Sequence, residues 1–361
     1  MAVGLPLKTT YANGDVYSAS DVNDTNGTVN LIGQTQNFYA GKNKIINGAF
    51  DIWQRGTSIT VPIANNSYSG ADRFQFSRNG TSSVVTVSRQ AFTPGTAPVA
   101  GYEGNYFMRF NQTTAGSGGS YNEIITRMEN VTTFAGQTVT FSFWAKADSS
   151  RTLPTPVFNQ NFGSGGSGTV TTNITLNSNA LTTSWTRYTG TVSIPSISGK
   201  TIGTSSFLEI DMQLFMNTTF TFDTWGWQVE SGSTATAFQT ATGTIQGELA
   251  ACQRYCWKVT SDATDKTLAI GTYYGTTTFI STIQFPVTMR TAPSATIVNG
   301  TNYWIIYTNA TNDTCDTGAI GATSANATNL EFSGNVSGTQ GYGGQLRSNN
   351  ASASIILSAE L

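Results

Sequence analysis

An all-β protein is the fold class that this 361-residue sequence predicts, and three observations predict it. Apolar and polar residues alternate in Thr138-Val-Thr-Phe-Ser-Phe-Trp144 and Phe207-Leu-Glu-Ile-Asp-Met-Gln-Leu214. That period of two sends one row of side chains inward and the other toward water. Gly- and Pro-rich turns punctuate such runs at short intervals, as in a sandwich of many strands. Only one stretch, Thr244 to Lys258, combines good helix formers with helical spacing.

Residues 1–45 differ in pattern from the rest of the chain. Ser18 with Asp21 three positions later makes a capping-box pattern that opens a short helix. Val22, Val29 and Ile32, with Thr25 and Gln36 on the same stripe, form a faint heptad. The segment reads either as an arm that bundles several chains or as a loose terminal tail.

From 46 to 240 the pattern is β throughout. Ser83–Ser88, Thr169–Thr175 and Trp185–Val192 add strands to the two alternating runs, and Phe141, Phe143, Phe220 and Phe222 are expected on one inner face. A connecting helix is expected over 241–258, with Ile245, Leu249, Cys252 and Cys256 on one stripe. Residues 259–361 return to strands at Thr267–Gly271, Thr276–Phe285, Ala295–Val298, Asn302–Thr308 and Ala351–Leu361. Between them, 308–344 is rich in Asn, Thr and Gly.

Composition narrows the chemistry. Charged residues make up 11% of the chain, against about 25% in ordinary soluble proteins, so Thr, Ser, Asn and Gly keep the surface wet. A net charge of −2 offers no basic footprint for nucleic acid. No run approaches the length of a membrane span and no signal peptide is evident, so the expectation is a soluble protein made in a cytoplasm without membrane insertion. Three cysteines cannot all pair and are expected as reduced, structural thiols.

With no histidine, the imidazole-based nucleophile systems and hydrolases are excluded, and no Gly-x-Ser-x-Gly elbow occurs. Gly163-Ser-Gly-Gly-Ser-Gly168 has dinucleotide-loop spacing but runs into a strand, which leaves a surface loop. Asp21-x-Asn23-x-Thr25 begins like an EF-hand loop and has Ile32 where a bidentate Glu is required. Carboxylates such as Asp72, Glu103, Glu123, Glu129 and Glu209 are the remaining acid and base candidates, or ordinary solvated groups. The Asn-x-Ser/Thr sequences at Asn111, Asn130 and Asn217 reflect composition. No cofactor is implied.

Asn43-Lys-Ile-Ile-Asn-Gly-Ala-Phe-Asp-Ile-Trp-Gln-Arg-Gly56, Phe222-Asp-Thr-Trp-Gly-Trp-Gln-Val-Glu230, Glu248-Leu-Ala-Ala-Cys-Gln-Arg-Tyr255 and Phe285-Pro-Val-Thr-Met-Arg-Thr-Ala-Pro293 resemble, in this order, the distal modules of tailed-bacteriophage fibre proteins. Asn47–Asp51, Thr140–Asp148 and Trp225–Ser233 are similar to a jelly-roll module related to carbohydrate-binding domains. The resemblance implies a short N-terminal attachment arm (1–45), a jelly-roll β-sandwich (46–240), a connecting helix (241–258) and a second, C-terminal β-sandwich module (259–361), which ends on Ala-Glu-Leu. Arg55 and Asp72-Arg73 match the family's phrases and read as packing and hydrogen-bonding positions.

It further implies a non-enzymatic virion protein, a homo-oligomer and most simply a trimer, held to other virion proteins through the arm on the tail or capsid exterior. A tail fibre would bind a host surface glycan or receptor. A head fibre or decoration protein needs none, and a free glycan-binding module or depolymerase is the reading from another class. The aromatic candidates for a sugar platform are Tyr273, Tyr274, Tyr303, Trp304, Tyr307 and Tyr342, each of which also reads as core packing. Jelly-roll relatives sometimes carry a structural calcium, for which Asp51 and Asp223 are the weak candidates beside their reading as plain surface residues.

Overall fold

The computed structural model describes residues 41–63, 66–99, 102–260 and 263–361. The capping-box helix, the heptad stripe and the EF-hand-like run expected before residue 40 lie outside the described residues.

The first module is a two-layer sandwich. Its strands are β1 (Ser58–Thr60), β2 (Phe74–Arg78), β3 (Val84–Ala91), β4 (Tyr106–Thr114), β5 (Asn122–Glu129), β6 (Thr138–Ala147), β7 (Arg151–Thr152), β8 (Val157–Asn161), β9 (Val170–Asn173), β10 (Ala180–Leu181), β11 (Thr186–Ser193), β12 (Phe207–Gln213) and β13 (Phe220–Ser231). A six-stranded sheet of order β1-β3-β4-β13-β6-β11 faces a five-stranded sheet of order β2-β5-β12-β8-β9, while β7 and β10 form a ribbon. Every strand pairing among the described residues is antiparallel, and Phe141, Phe143, Phe220 and Phe222 share the core between the layers as the alternation requires.

The outer row of β6 departs from the expected half-wet pattern. Thr140, Ser142 and Trp144 are buried too. Trp144 packs with Trp225, Phe92, Phe107 and Phe238 in a second aromatic cluster, and Arg187 covers the Trp144 ring at 4.6 Å. The cause lies in β13, whose register against β6 slips by one residue between Trp225 and Gln228. This β-bulge swaps the parity of the strand, since an extra residue flips every later side chain to the other face. Phe220 and Phe222 before it, and Trp227 and Val229 after it, therefore all reach the inner core, while Trp225 serves the outer cluster. Gly226 takes the left-handed conformation here (φ 69°), and a Cβ would lie 2.8 Å from the Trp144 ring.

One helix follows, α1 (Ile245–Gln253), capped by the Thr244 hydroxyl, which accepts from the Gly247 amide. It is shorter than expected: Cys256 belongs to a strand, and Ile245 and Leu249 are exposed, so the four-residue stripe does not form. The seated residues are Glu248 and Cys252. The Glu248 carboxylate accepts from the amides of Asn47 (2.7 Å) and Thr242 (2.8 Å), so a charged side chain rather than Leu249 anchors the helix.

The second module comprises β14 (Cys256–Lys258), β15 (Thr267–Tyr273), β16 (Phe279–Gln284), β17 (Ser294–Val298), β18 (Trp304–Thr308), β19 (Thr311–Cys315), β20 (Thr317–Thr323), β21 (Ala327–Ser333), β22 (Gly343–Ser348) and β23 (Ser354–Ser358). A three-stranded sheet, β14-β23-β17, and a seven-stranded sheet, β19-β18-β22-β15-β16-β21-β20, enclose its core. The Asn-, Thr- and Gly-rich stretch is thus largely strand, because Thr328, Leu330 and Phe332 supply a buried row on β21. All three cysteines are free and buried.

The two modules meet in a charged joint. Glu360 accepts from Arg73 and lies 3.1 Å from Arg55. Arg73 is fully buried, with its guanidinium 3.4 Å over the Tyr255 ring. The Gln54 side chain bonds both Asp72 and the Cys256 carbonyl, Arg254 pairs with Glu129 (2.8 Å), and Arg290 donates to the carbonyls of Ala359 and Glu360. Arg55, Asp72 and Arg73 are therefore packing and hydrogen-bonding residues, as expected. Removing one member of a buried pair leaves the other charge uncompensated. Glu360→Gln is expected to cost about 3 kcal/mol, measured as a fall in the urea midpoint, and a loss below about 0.5 kcal/mol, the size of an ordinary surface change, would refute the joint's role.

Candidate glycan-binding surface

The outward row of the five-stranded sheet is polar for a reason visible strand by strand. On β12, Leu208, Ile210 and Met212 go into the core, which turns Glu209, Asp211 and Gln213 outward. Across from them β5 presents Glu123, Ile125, Arg127 and Glu129, and β8 presents Val157, Asn159 and Asn161. The resulting chain of bonds crosses the sheet. Thr171 donates to Asn159 (2.7 Å), Asn159 donates to Glu209 (3.0 Å), and Arg127 donates to the other Glu209 oxygen (2.7 Å).

The second module covers one end of this face. Arg127 also donates to the Leu361 carbonyl (2.5 Å), and Arg254 holds Glu129. The other end, with Glu123, Asp211 and Gln213, stays accessible to solvent, as does Thr171 on the edge strand β9. Burial first, then the Asp211 and Glu209 charges, pushes Glu123 up to about 7. Burial and Glu209 push Asp211 up to about 6, and one Asp211 oxygen is enclosed without a hydrogen-bond partner. Near neutrality this end of the face therefore offers both donors and acceptors of hydrogen bonds, which suits a ligand bristling with hydroxyls.

The sequence candidates scatter. Of the five carboxylates, Glu123 and Glu209 come together on this face. Asp72 is buried in the joint and pushed by burial up to about 6, Glu129 is paired, and Glu103 accepts from the Gly95 amide (2.6 Å). Tyr273 and Trp304 are a correction: both rings are enclosed in the second core, Tyr273 donating to Asp313 (2.9 Å) and Trp304 packing edge-on against Phe332, so neither has a face for a sugar. Tyr303 packs partly against that core and Tyr307 lies under the Arg347 guanidinium at 4.1 Å. Tyr274 (71%) and Tyr342 (58%) are exposed at neighbouring chain reversals.

The calcium candidates do not share a neighbourhood. Asp223 is gripped by Arg109 (2.7 and 2.8 Å) with Lys146 at 3.7 Å, and two cations occupy the space a third would need. Asp51 feels Glu248 and Arg89 instead and is raised to about 6, chiefly by burial. No group of three or more acidic or cysteine side chains among the described residues is arranged to hold a metal ion. Sequence reasoning missed Asn159, Thr171, Asp211 and Gln213. The signal was present in the outward row of Phe207–Leu214, whose polar members read only as the wet side of a strand.

A family profile described as a carbohydrate binding domain matches residues 42–207. No curated protein matches the chain in sequence. Among solved structures, the chain is similar to the tailspike protein 4 enzymatically active domain of bacteriophage CBA120, at 15% identity and a TM-score of 0.32, over 53% of this chain and 22% of that one. It is similar to the CBM22-1 xylan-binding domain from Paenibacillus barcinonensis (15%, TM-score 0.29, 49% of this chain and 95% of that one). A third is a family 11 carbohydrate-binding module from Clostridium thermocellum in complex with a β-1,3-1,4-mixed-linked tetrasaccharide (11%, TM-score 0.28, 50% and 98%).

The raised carboxylates set a direction for pH. A carboxyl whose folded pKa lies above its unfolded value binds the proton better when folded, so it destabilises the fold as pH rises. For Glu123 and Asp211 this loss begins near the ordinary carboxylate range of about 4 and is complete above about 7. Melting temperatures between these limits are expected to fall with rising pH and to fall less in Glu123→Gln. An equal slope in the two proteins would remove Glu123 as the cause.

Proposed function

We propose that the chain is a glycan-binding appendage of a tailed-bacteriophage particle, carried as a homotrimer on the virion exterior and made in the host cytoplasm. The observation that carries glycan binding is the open polar end of the five-stranded sheet, in the sandwich that overlaps the carbohydrate binding domain match. Support for a virion role is the set of fibre-like phrases. Three of the four reach the joint or the helix beside it, through Gln54 and Arg55, Glu248 and Arg254, and Arg290, while Phe222–Glu230 supplies Trp227 to the first core. The arm over 1–45 is the proposed attachment to other virion proteins.

Binding is tested by titrating the full chain with a panel of host surface polysaccharides. Asp211→Ala with Asn159→Ala is expected to weaken binding about tenfold or more, as loss of paired polar contacts does, while Tyr274→Ala with Tyr342→Ala leaves it unchanged. The reverse pattern would move the site to the second module. Antibody labelling of intact particles separates the tail location from the head-fibre alternative.

Hydrolysis is the second reading, and one observation favours it. Glu123 keeps its proton close to neutral pH, as the general acid of a glycosidase must, with Asp211 and Glu209 on the same face. Shortened glycan products that disappear in Glu123→Gln, with binding retained, would establish turnover; no product from any bound glycan would leave a binding protein.

A further inference from the structure

The face of the seven-stranded sheet turned away from the second core carries an arrangement that neither glycan binding nor the joint uses. β15 is the middle strand of the seven, and its Ile270 is 74% exposed. A β-branched apolar side chain at the centre of a sheet is usually covered. Thr272 and Thr282 on the flanking outward positions are exposed as well, so the face lies open. Ile280 lies beside Thr272 and opposite Glu331, and Tyr307 lies beside Gln345 next to Ile270.

Two charges frame this apolar centre. Arg347 stands on β22, between the buried Leu346 and Ser348, and Glu331 stands on β21, between the buried Leu330 and Phe332. Three strand spacings separate those strands, about 14 Å. Among the described residues neither side chain forms an ion pair. Arg347 donates only to Gln345 (2.7 Å), and its Nε is enclosed with no partner. In a chain with 18 basic and 20 acidic residues, opposite charges without ion-pair partners on either side of an exposed isoleucine are conspicuous.

We propose that this face docks a second copy of the same chain, with Ile270 at the centre of the contact and Arg347 of one copy meeting Glu331 of the next. Arg347 and Glu331 lie on opposite sides of β15, so three copies that turn this face toward a common axis can each present Arg347 to the Glu331 of the next, and the ring closes with every charge met by its opposite. An apolar centre with a polar rim is the ordinary anatomy of a subunit interface. The assignment rests on the oligomer proposed above and names the surface that makes it.

The test is sedimentation of the full chain at low micromolar concentration. The wild type is expected at the three-chain mass. Ile270→Asp is expected to shift it to the single-chain mass, with about a tenfold or greater rise in dissociation constant, and to keep the wild-type β-sheet circular dichroism because the position is exposed in the single chain. Glu331→Arg is expected to weaken association, and Glu331→Arg with Arg347→Glu to restore it. A single-chain mass for the wild type would overturn the oligomer itself. A three-chain mass for both wild type and Ile270→Asp would overturn this surface and leave the oligomer standing, as would a loss of glycan affinity in Ile270→Asp with no change of mass.

Discussion

Glu360 between Arg55 and Arg73 is the contact on which the arrangement of the two modules depends. Two guanidiniums taken out of water are costly unless an anion and further hydrogen bonds compensate them. Here the anion comes from beyond the last strand of one module and the cations from the opening loops of the other. Neither set is satisfied alone. Arg73 also donates to the Arg127 carbonyl and lies over the Tyr255 ring, so the joint is an ion pair, a hydrogen bond and a cation–π contact at one buried side chain.

This joint shapes the candidate binding face. Arg127 and Glu129 lie on the outward row of β5, where they would otherwise extend the polar strip, and Leu361 of the second module takes up the first and Arg254 at the end of α1 the second. What remains for a ligand is the far end of the sheet, where the carboxylates are crowded and hold their protons more firmly. Position and chemistry of the proposed site thus follow from where the second module sits.

Much of the fold was legible because period two is a local property. Runs such as Thr138–Trp144 and Phe207–Leu214 need no tertiary information to be read as strands, and the phenylalanines sort themselves onto one face. The reading failed where the third dimension reverses a local rule. Trp144 looked outward and is buried because a bulge in another strand brings Trp225 over it. Cys256 continued a helical stripe in sequence, yet its backbone is claimed by β23. The site was less legible still. Tyr273 and Trp304 have the composition of a sugar platform and the position of a core, and Asp211 gains its character only from Glu209 and the burial around it, which no spacing reveals.

The segment from Gly41 to Gly48 runs antiparallel beside the chain around the bulge, through the amide of Lys44 on Val229, the Asn43 side chain on Trp227, Val229 and Gln239, and the Gly48 carbonyl on the Trp227 amide. Gly48 is needed there because a Cβ would lie 2.1 Å from the Trp227 carbonyl oxygen. A pull on residue 41 directed along this segment would load its hydrogen bonds together. Under that load the bonds would share the strain side by side, in shear, rather than open one at a time.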